Sequence, residues 1–374
     1  MQSAKLGQDG FRQINEMQPV KIMVDSLADE GLTNAQMINA REIVSRLNPD
    51  RFFVTMFMRG TPAAAISGRP NTRLIQLPAH RQTIILLAHF LFGRQDILFY
   101  LKASPAGRAF LKVRSLRRSR CIVAGTIESQ TDWQDETITP KAIRLLEDTV
   151  LRCDYLFSNS AFVKRNLETN YHLPSEVVPT GVDTDFFTPS WDRPANPRPR
   201  VLYVGALRPF KGPQVVLEAA QRYPYADFVL VGDGIMGPEL RERAKQLSNV
   251  VLRGSLERTA VRDEYRAADI FMFPSRWEGS PRVLMEAAAS GLPVVARKNY
   301  EPESVIDGKT GFLAATDDEL ILRLEQLLAN RDLSRAFGRS GRTHMARFSW
   351  DIIAGQWETI FTRLALARGK ESRL

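Results

Sequence analysis

Apolar residues in this chain fall into two alternating patterns, short continuous runs and longer stretches at helical spacing, and the alternation predicts strands separated by helices. In the first half, Lys21-Ile-Met-Val24, Arg51-Phe-Phe-Val-Thr-Met-Phe-Met58, Arg73-Leu-Ile-Gln-Leu77, Asp96-Ile-Leu-Phe-Tyr100, Cys121-Ile-Val-Ala124 and Tyr155-Leu-Phe-Ser158 read as strands. A loop through Gly31 and a helix from Asn34 to Leu47 follow the first of them. The second half repeats the alternation, with Val201-Leu-Tyr-Val204, Phe228 to Val231, Val250-Val-Leu-Arg-Gly254 and Ile270-Phe-Met-Phe-Pro274 as strands. Near-continuous apolar strands between helices argue for an α/β chain of doubly wound parallel sheets, covered on both faces. The run Pro189-Ser-Trp-Asp-Arg-Pro-Ala-Asn-Pro-Arg-Pro199 has four prolines and no periodicity. It reads as a linker over 190–199, between a domain at 19–189 and a second at 200–348. Residues 1–18 read as a loose polar tail, and 349–374 as a closing segment with an amphipathic helix from Trp350 to Leu366.

Length supports the division, since 374 residues exceed what one hydrophobic core usually organises. The most apolar stretch, Thr83 to Phe92, is well short of the roughly 18 residues of a membrane span. The first ten residues lack the apolar centre of a secretory signal, and Cys121 and Cys153 are too few for a disulfide framework or a zinc site. A cytoplasmic location is therefore expected. The net charge of +9 calls for an anionic partner surface. From Lys102 to Arg120 there are seven basic residues and no acid, interleaved with Phe110, Leu111, Val113 and Leu116 at helical spacing. Two readings stand: peripheral contact with an anionic inner membrane face, or a solvated helix covering the first sheet. A nucleic-acid partner is not expected, because no binding module or aromatic platform accompanies the charge.

The candidate chemistry lies in two loops of the second half. In Glu278-Gly-Ser-Pro-Arg-Val-Leu-Met-Glu286, Ser280 suits a helix N-cap and Pro281 the first helical position, so the amides of Arg282 and Val283 should point out of the helix end. Such an end attracts a phosphate. The two glutamates would accept hydroxyls on either side of it, which describes a nucleotide sugar. In Gly205-Ala-Leu-Arg208-Pro-Phe-Lys211-Gly212-Pro213, two cations follow a strand and precede a helix, a means of stabilising a departing diphosphate.

Taken together, the Arg208 to Lys211 loop, Val231-Gly-Asp-Gly234 and Glu278-x7-Glu286 followed by Gly291-x-Pro293 resemble the C-terminal half of glycosyltransferase family 4. These are retaining enzymes of the GT-B type, with two Rossmann-like domains facing a cleft. Val178 to Pro189 is similar to the segment that ends the family's first domain. The resemblance implies that Arg208 and Lys211 hold the donor diphosphate, that Glu278 receives hydroxyls of the transferred sugar, and that Gly279, Ser280, Arg282 and Val283 meet sugar and phosphate. It further implies that Glu286 accepts the ribose hydroxyls, that Gly205, Gly232 and Arg253 line the nucleotide, and that the last helix crosses back to the first domain. A glycan or lipid-linked acceptor would be held by the first domain, no metal or other cofactor would be needed, and hinges at 190–199 and Ser349 would close the cleft. The chain departs from the family's pattern in Gly125-Thr-Ile-Glu128-Ser, where many members carry a histidine. Glu128 then takes that place beside the transferred sugar. The first loop also keeps a single glycine, Gly31.

Other motifs compete. Gly232-Asp-Gly234-Ile-Met-Gly237 matches a dinucleotide fingerprint and admits an NAD-dependent oxidoreductase, although Asp233 inside the turn would repel a pyrophosphate. A non-catalytic sugar-nucleotide-binding protein is a further alternative. Asp183-Thr-Asp185 resembles a metal-binding pair but reads better as turn residues, and His80, His89, His172 and His344 lack metal spacing.

Overall fold

The computed structural model describes residues 18–31, 34–114, 121–131 and 139–371. The expected tail, apart from its last residue, lies outside them, as do 115–120 of the basic segment. Among the described residues, seven strands form the first sheet: β1 (Val20–Leu27), β2 (Phe52–Met58), β3 (Thr72–Gln76), β4 (Ile97–Phe99), β5 (Ile122–Ile127), β6 (Tyr155–Ser158) and β7 (Glu176–Val177), in the order 3-2-1-4-5-6-7. Six form the second: β8 (Arg200–Val204), β9 (Asp227–Val231), β10 (Val250–Gly254), β11 (Ile270–Phe273), β12 (Val294–Arg297) and β13 (Gly311–Ala314), in the order 10-9-8-11-12-13. Every ladder between these strands is parallel. Each sheet is thus doubly wound and Rossmann-like, and its order reverses between β1 and β4 or between β8 and β11, where a crevice opens at the strands' carboxyl ends.

Alternation along the strands distributes the core. In β1, Ile22 and Val24 enter one layer and Met23 the other. The first layer is completed by the last helix, Trp350–Glu371, whose Trp357 ring lies 4.6 Å from Phe99 and 4.8 Å from Phe157. The opposite layer is closed by the helices Gln82–Phe92 and Pro105–Arg114, with Phe90 and Phe110 edge to face at 5.8 Å. In the described part of the basic helix, Phe110 is fully buried and Leu111 packs against the same layer, while Arg108 and Lys112 are exposed.

The chain crosses between the sheets twice, side by side. Val182 donates its N–H to the Phe348 carbonyl at 2.8 Å, and the Trp350 N–H returns to Val182 at 3.3 Å. Val178 belongs to the first core and Phe187 to the second, so the passage occurs near 180–182. The stretch 190–199, read from the sequence as a linker, is tied to the second sheet. Arg193 pairs with Asp269 at 2.5 Å, and Asn196 Nδ2 donates to Asp269 at 2.8 Å and to the Ala267 carbonyl at 3.0 Å. Proline content signalled an irregular segment, and the half-buried Asp269 carboxylate gathers the Arg193 and Asn196 side chains of that segment.

Candidate active site

The loops after β8 and β11 meet at the second switch point. Gly212 has φ +68°, and a Cβ there would sit 2.8 Å from the Pro274 carbonyl oxygen, so a glycine is required both by conformation and by the close approach. Arg276 N–H donates to the Phe210 carbonyl at 2.7 Å, which locks the loops together. The result brings Lys211 Nζ to 2.5 Å from Glu278 Oε1, and Ser275 Oγ reaches the same oxygen at 2.6 Å. The ammonium lies beside the Phe210 and Phe273 rings, 5.3 and 5.7 Å from their centroids. Burial, reinforced by the Glu278 charge, pushes the nearby Tyr203 phenol well above its ordinary range, and its hydroxyl donates to the Ala206 carbonyl at 3.0 Å. Arg208 is exposed in the same loop, and its guanidinium pairs with no other described side chain.

The helix after Glu278 runs Arg282–Ala289. Ser280 is not its N-cap. Pro281 occupies that position with an extended backbone and no side-chain hydrogen bond, so the helix begins one residue later than the sequence pattern suggests and Ser280 stays in the loop. Arg282 and Val283 still occupy the first turn. Glu286 is 9% exposed, its carboxylate held by Arg282 Nη2 at 3.2 Å and by the Tyr265 hydroxyl at 3.2 Å. Burial, followed by the Glu286 charge, raises the Tyr265 phenol far above its usual range.

The first domain contributes Glu128, just past β5. Its Oε1 accepts from the Tyr100 hydroxyl and from Asn39 Nδ2, the latter at 3.2 Å. Burial raises this carboxyl above the ordinary glutamate range, against the lowering effects of Tyr100, Asn39, Arg282 and Lys102. The two domains face each other here, since a Cβ on Gly279 of the second domain would lie 2.1 Å from the Glu128 carbonyl oxygen. Two residues on, Gln130 Nε2 donates to the Glu278 main-chain carbonyl at 2.9 Å. Gly31 lies in an exposed turn with open space around it.

The remaining predicted residues make contacts of their own. Arg253, expected beside the nucleotide, turns against the helix Arg258–Ala267, where its Nε is 3.1 Å from Glu264, the carboxylate that also takes Arg200. Gly205 and Gly232 serve loop packing. Gly232 has φ +134°, and a Cβ there would lie 2.0 Å from the Gly205 carbonyl oxygen, while one on Gly234 would lie 2.6 Å from that of Leu207. Main chain already occupies the inside of this turn, so its glycines are explained without a dinucleotide. Asp183 accepts from the Phe186 N–H at 3.0 Å and pairs with Arg258 at 2.9 Å, which accounts for it as a turn residue. Sequence reasoning missed Ser275, Tyr265, Tyr100, Asn39 and Gln130. Ser275 and Tyr100 follow strand ends, a usable signal, whereas Asn39 and Gln130 reach the site only through tertiary folding.

Facing doubly wound domains, with a lysine and a carboxylate at the second switch point, define the architecture of a two-domain glycosyltransferase. The comparisons agree. The family model for group 1 glycosyl transferases matches residues 198–330. A GDP-mannose-dependent alpha-(1-6)-phosphatidylinositol monomannoside mannosyltransferase of Mycolicibacterium smegmatis is 31% identical over 334 residues, 81% of this chain and 84% of that protein. A D-inositol 3-phosphate glycosyltransferase of Corynebacterium jeikeium is 31% identical over 265 residues, 63% of each chain. Among solved structures, sucrose-phosphate synthase from Thermosynechococcus elongatus superposes with a TM-score of 0.75 at 22% identity, covering 94% of this chain and 100% of that one. Anabaena HepE, in complex with UDP and glucose, gives a TM-score of 0.68 at 18% identity, over 91% and 99%. The chain belongs to the group 1 glycosyltransferases.

Proposed function

We propose that the protein moves a sugar from a nucleotide-diphosphate donor to a glycan or lipid-linked acceptor with retention of anomeric configuration. The observation that carries this reading is the Lys211–Glu278–Ser275 cluster at the second switch point, with Arg208 exposed beside it. Arg208 and Lys211 bind the diphosphate and neutralise the charge that grows as the bond from the anomeric carbon to phosphate oxygen breaks. Two cations supply there the charge that a metal would otherwise bring, so a metal-independent reaction is proposed. Lys211 and Ser275 occupy one oxygen of Glu278, and the other receives sugar hydroxyls. Glu286 accepts the ribose hydroxyls after exchanging its contacts with Arg282 and Tyr265. The acceptor hydroxyl attacks from the face the leaving group departs, and its proton passes to the leaving phosphate oxygen. Glu128 lies on the acceptor side, against the face of the sugar ring.

A lipid-linked acceptor is supported by the phosphatidylinositol mannoside named for the M. smegmatis relative and by the outward cations of the first domain. Lys112, Lys141 and Arg144 line a groove between the helices Pro105–Arg114 and Pro140–Glu147 and form no ion pair among the described residues. Their role is electrostatic attraction to an anionic membrane face, since the apolar side of the first helix is buried. No described helix is long and apolar enough to cross a membrane.

The test is a thermal-shift screen over nucleotide sugars, followed by kinetics with the best donor. Lys211→Ala and Glu286→Ala should each lower kcat/KM at least about tenfold, or ~1.4 kcal/mol. Near-normal kinetics in both variants would overturn the assignment. Binding of a nicotinamide nucleotide without any sugar nucleotide would favour an oxidoreductase instead. Donor binding without turnover of any acceptor would favour a non-catalytic binding protein.

A further inference from the structure

We propose that Gln130 is the positioning residue through which the first domain completes the sugar end of the donor site, an inference that rests on the role given to Glu278 above. The loops after β5 and β11 touch across the cleft. Gln130, 4% exposed, donates its Nε2 to the Glu278 carbonyl at 2.9 Å over a sequence separation of 148 residues. The next residue, Gly279, makes room for the contact. A Cβ on it would sit 2.1 Å from the Glu128 carbonyl oxygen and 3.0 Å from Ser129 Cα. Asn159 Nδ2 holds that same Glu128 carbonyl at 3.1 Å, so the surface against which Gly279 packs is itself anchored.

Two sets of contacts therefore act on Glu278, and they fix different parts of it. Lys211 and Ser275, from its own domain, hold one carboxylate oxygen. Neither constrains the peptide between Glu278 and Gly279, and glycine is the residue least able to hold a peptide plane by its own torsional preferences. Gln130 does constrain it. Because the peptide is planar, fixing the Glu278 carbonyl also fixes the direction of the Gly279 N–H on the opposite side. That N–H is among the groups assigned to the sugar and phosphate. When the domains separate, Gln130 leaves and the peptide is released, whereas Arg208, Lys211 and Glu286 remain together in the second domain. Donor diphosphate then binds either state, but the sugar is oriented only after closure. This order protects the activated sugar from water until an acceptor domain is in place.

The experiment compares the full-length protein with Gln130→Met, which keeps the side chain's length and removes its donor. Amide hydrogen exchange is followed in the peptide spanning 274–281 with saturating GDP or UDP, whichever binds more tightly by calorimetry. Exchange there should quicken at least about threefold in the variant while β8 to β10 are unchanged, as loss of a local restraint predicts. With GDP-mannose or UDP-glucose as donor, kcat should fall about tenfold, equivalent to ~1.4 kcal/mol, while the dissociation constant of the nucleoside diphosphate stays within about twofold. Unchanged exchange in 274–281 overturns the inference, as does a loss of nucleotide binding as large as the loss of kcat. If the wild-type protein turns over neither donor, the failure belongs to the reading of the site, and the exchange measurement still decides the role of Gln130.

Discussion

Glu128 shows how one side chain can set stability against activity. Burial raises its carboxyl above the ordinary range, so the folded protein resists its ionisation. At pH values below the unfolded glutamate pKa of about 4.3, both folded and unfolded chains keep the proton and the group is neutral in its effect. As pH rises past that value, the unfolded chain gives up the proton more easily, and stability falls until the folded pKa is passed. A glutamine keeps an acceptor oxygen for Tyr100 and Asn39 and has no proton to lose. Glu128→Gln should therefore raise Tm at pH 7, leave it unchanged near pH 4, and lower kcat if the carboxylate serves the sugar ring. A Tm gain of the same size at both pH values would refute the burial argument. Lys211 and Glu278 were legible from sequence because each is placed by its own loop. Arg253 was not, because Glu264, eleven positions away, competes for its guanidinium.

Among the elements, the last helix binds the first domain most visibly. Trp350, Ile353, Trp357, Ile360, Phe361 and Leu364 enter the core of that domain, and Trp357 stacks on Phe361 at 5.4 Å while meeting Phe99 and Phe157. Its spacing announced an amphipathic helix, and the family resemblance, not the spacing, implied the return to the first domain that the fold shows. Trp357→Ala should destabilise the protein by roughly 3–5 kcal/mol through lost burial and a residual cavity. Urea denaturation would measure this, and a cost below about 1 kcal/mol would mean the helix end is not part of the cooperative core. The helix at 282–289 makes a different point. Serine followed by proline suggested a cap and a first turn, yet Pro281 with ψ 114° stands outside the helix, so local propensity was right about the element and wrong by one residue about its start.

In the whole molecule, the two crossing segments meet at an isolated bridge between Val182 and Ser349, where the chain passes between the domains. Gly181 lies flat against the Trp350 ring there, with room for no side chain. The outward charge of the first domain also acts at this scale. Binding to phosphatidylglycerol vesicles should weaken with salt, and should fall at least ~100-fold in Lys112→Glu/Lys141→Glu/Arg144→Glu, since each basic residue near such a surface contributes about 1 kcal/mol. Equal partitioning of variant and wild type in vesicle sedimentation would remove the membrane from the proposal.

The α/β alternation and the positions of the loops carrying Arg208, Lys211, Glu278 and Glu286 can be read along the chain, because each depends on residues close together in it. Which charges pair, that Arg193 and Asn196 of the 190–199 stretch fasten to Asp269, and that Gln130 meets Glu278 emerge only once the chain is folded. Those outcomes depend on which surfaces compete for the same side chain, and such competitors are separated by tens to hundreds of residues that no local pattern connects.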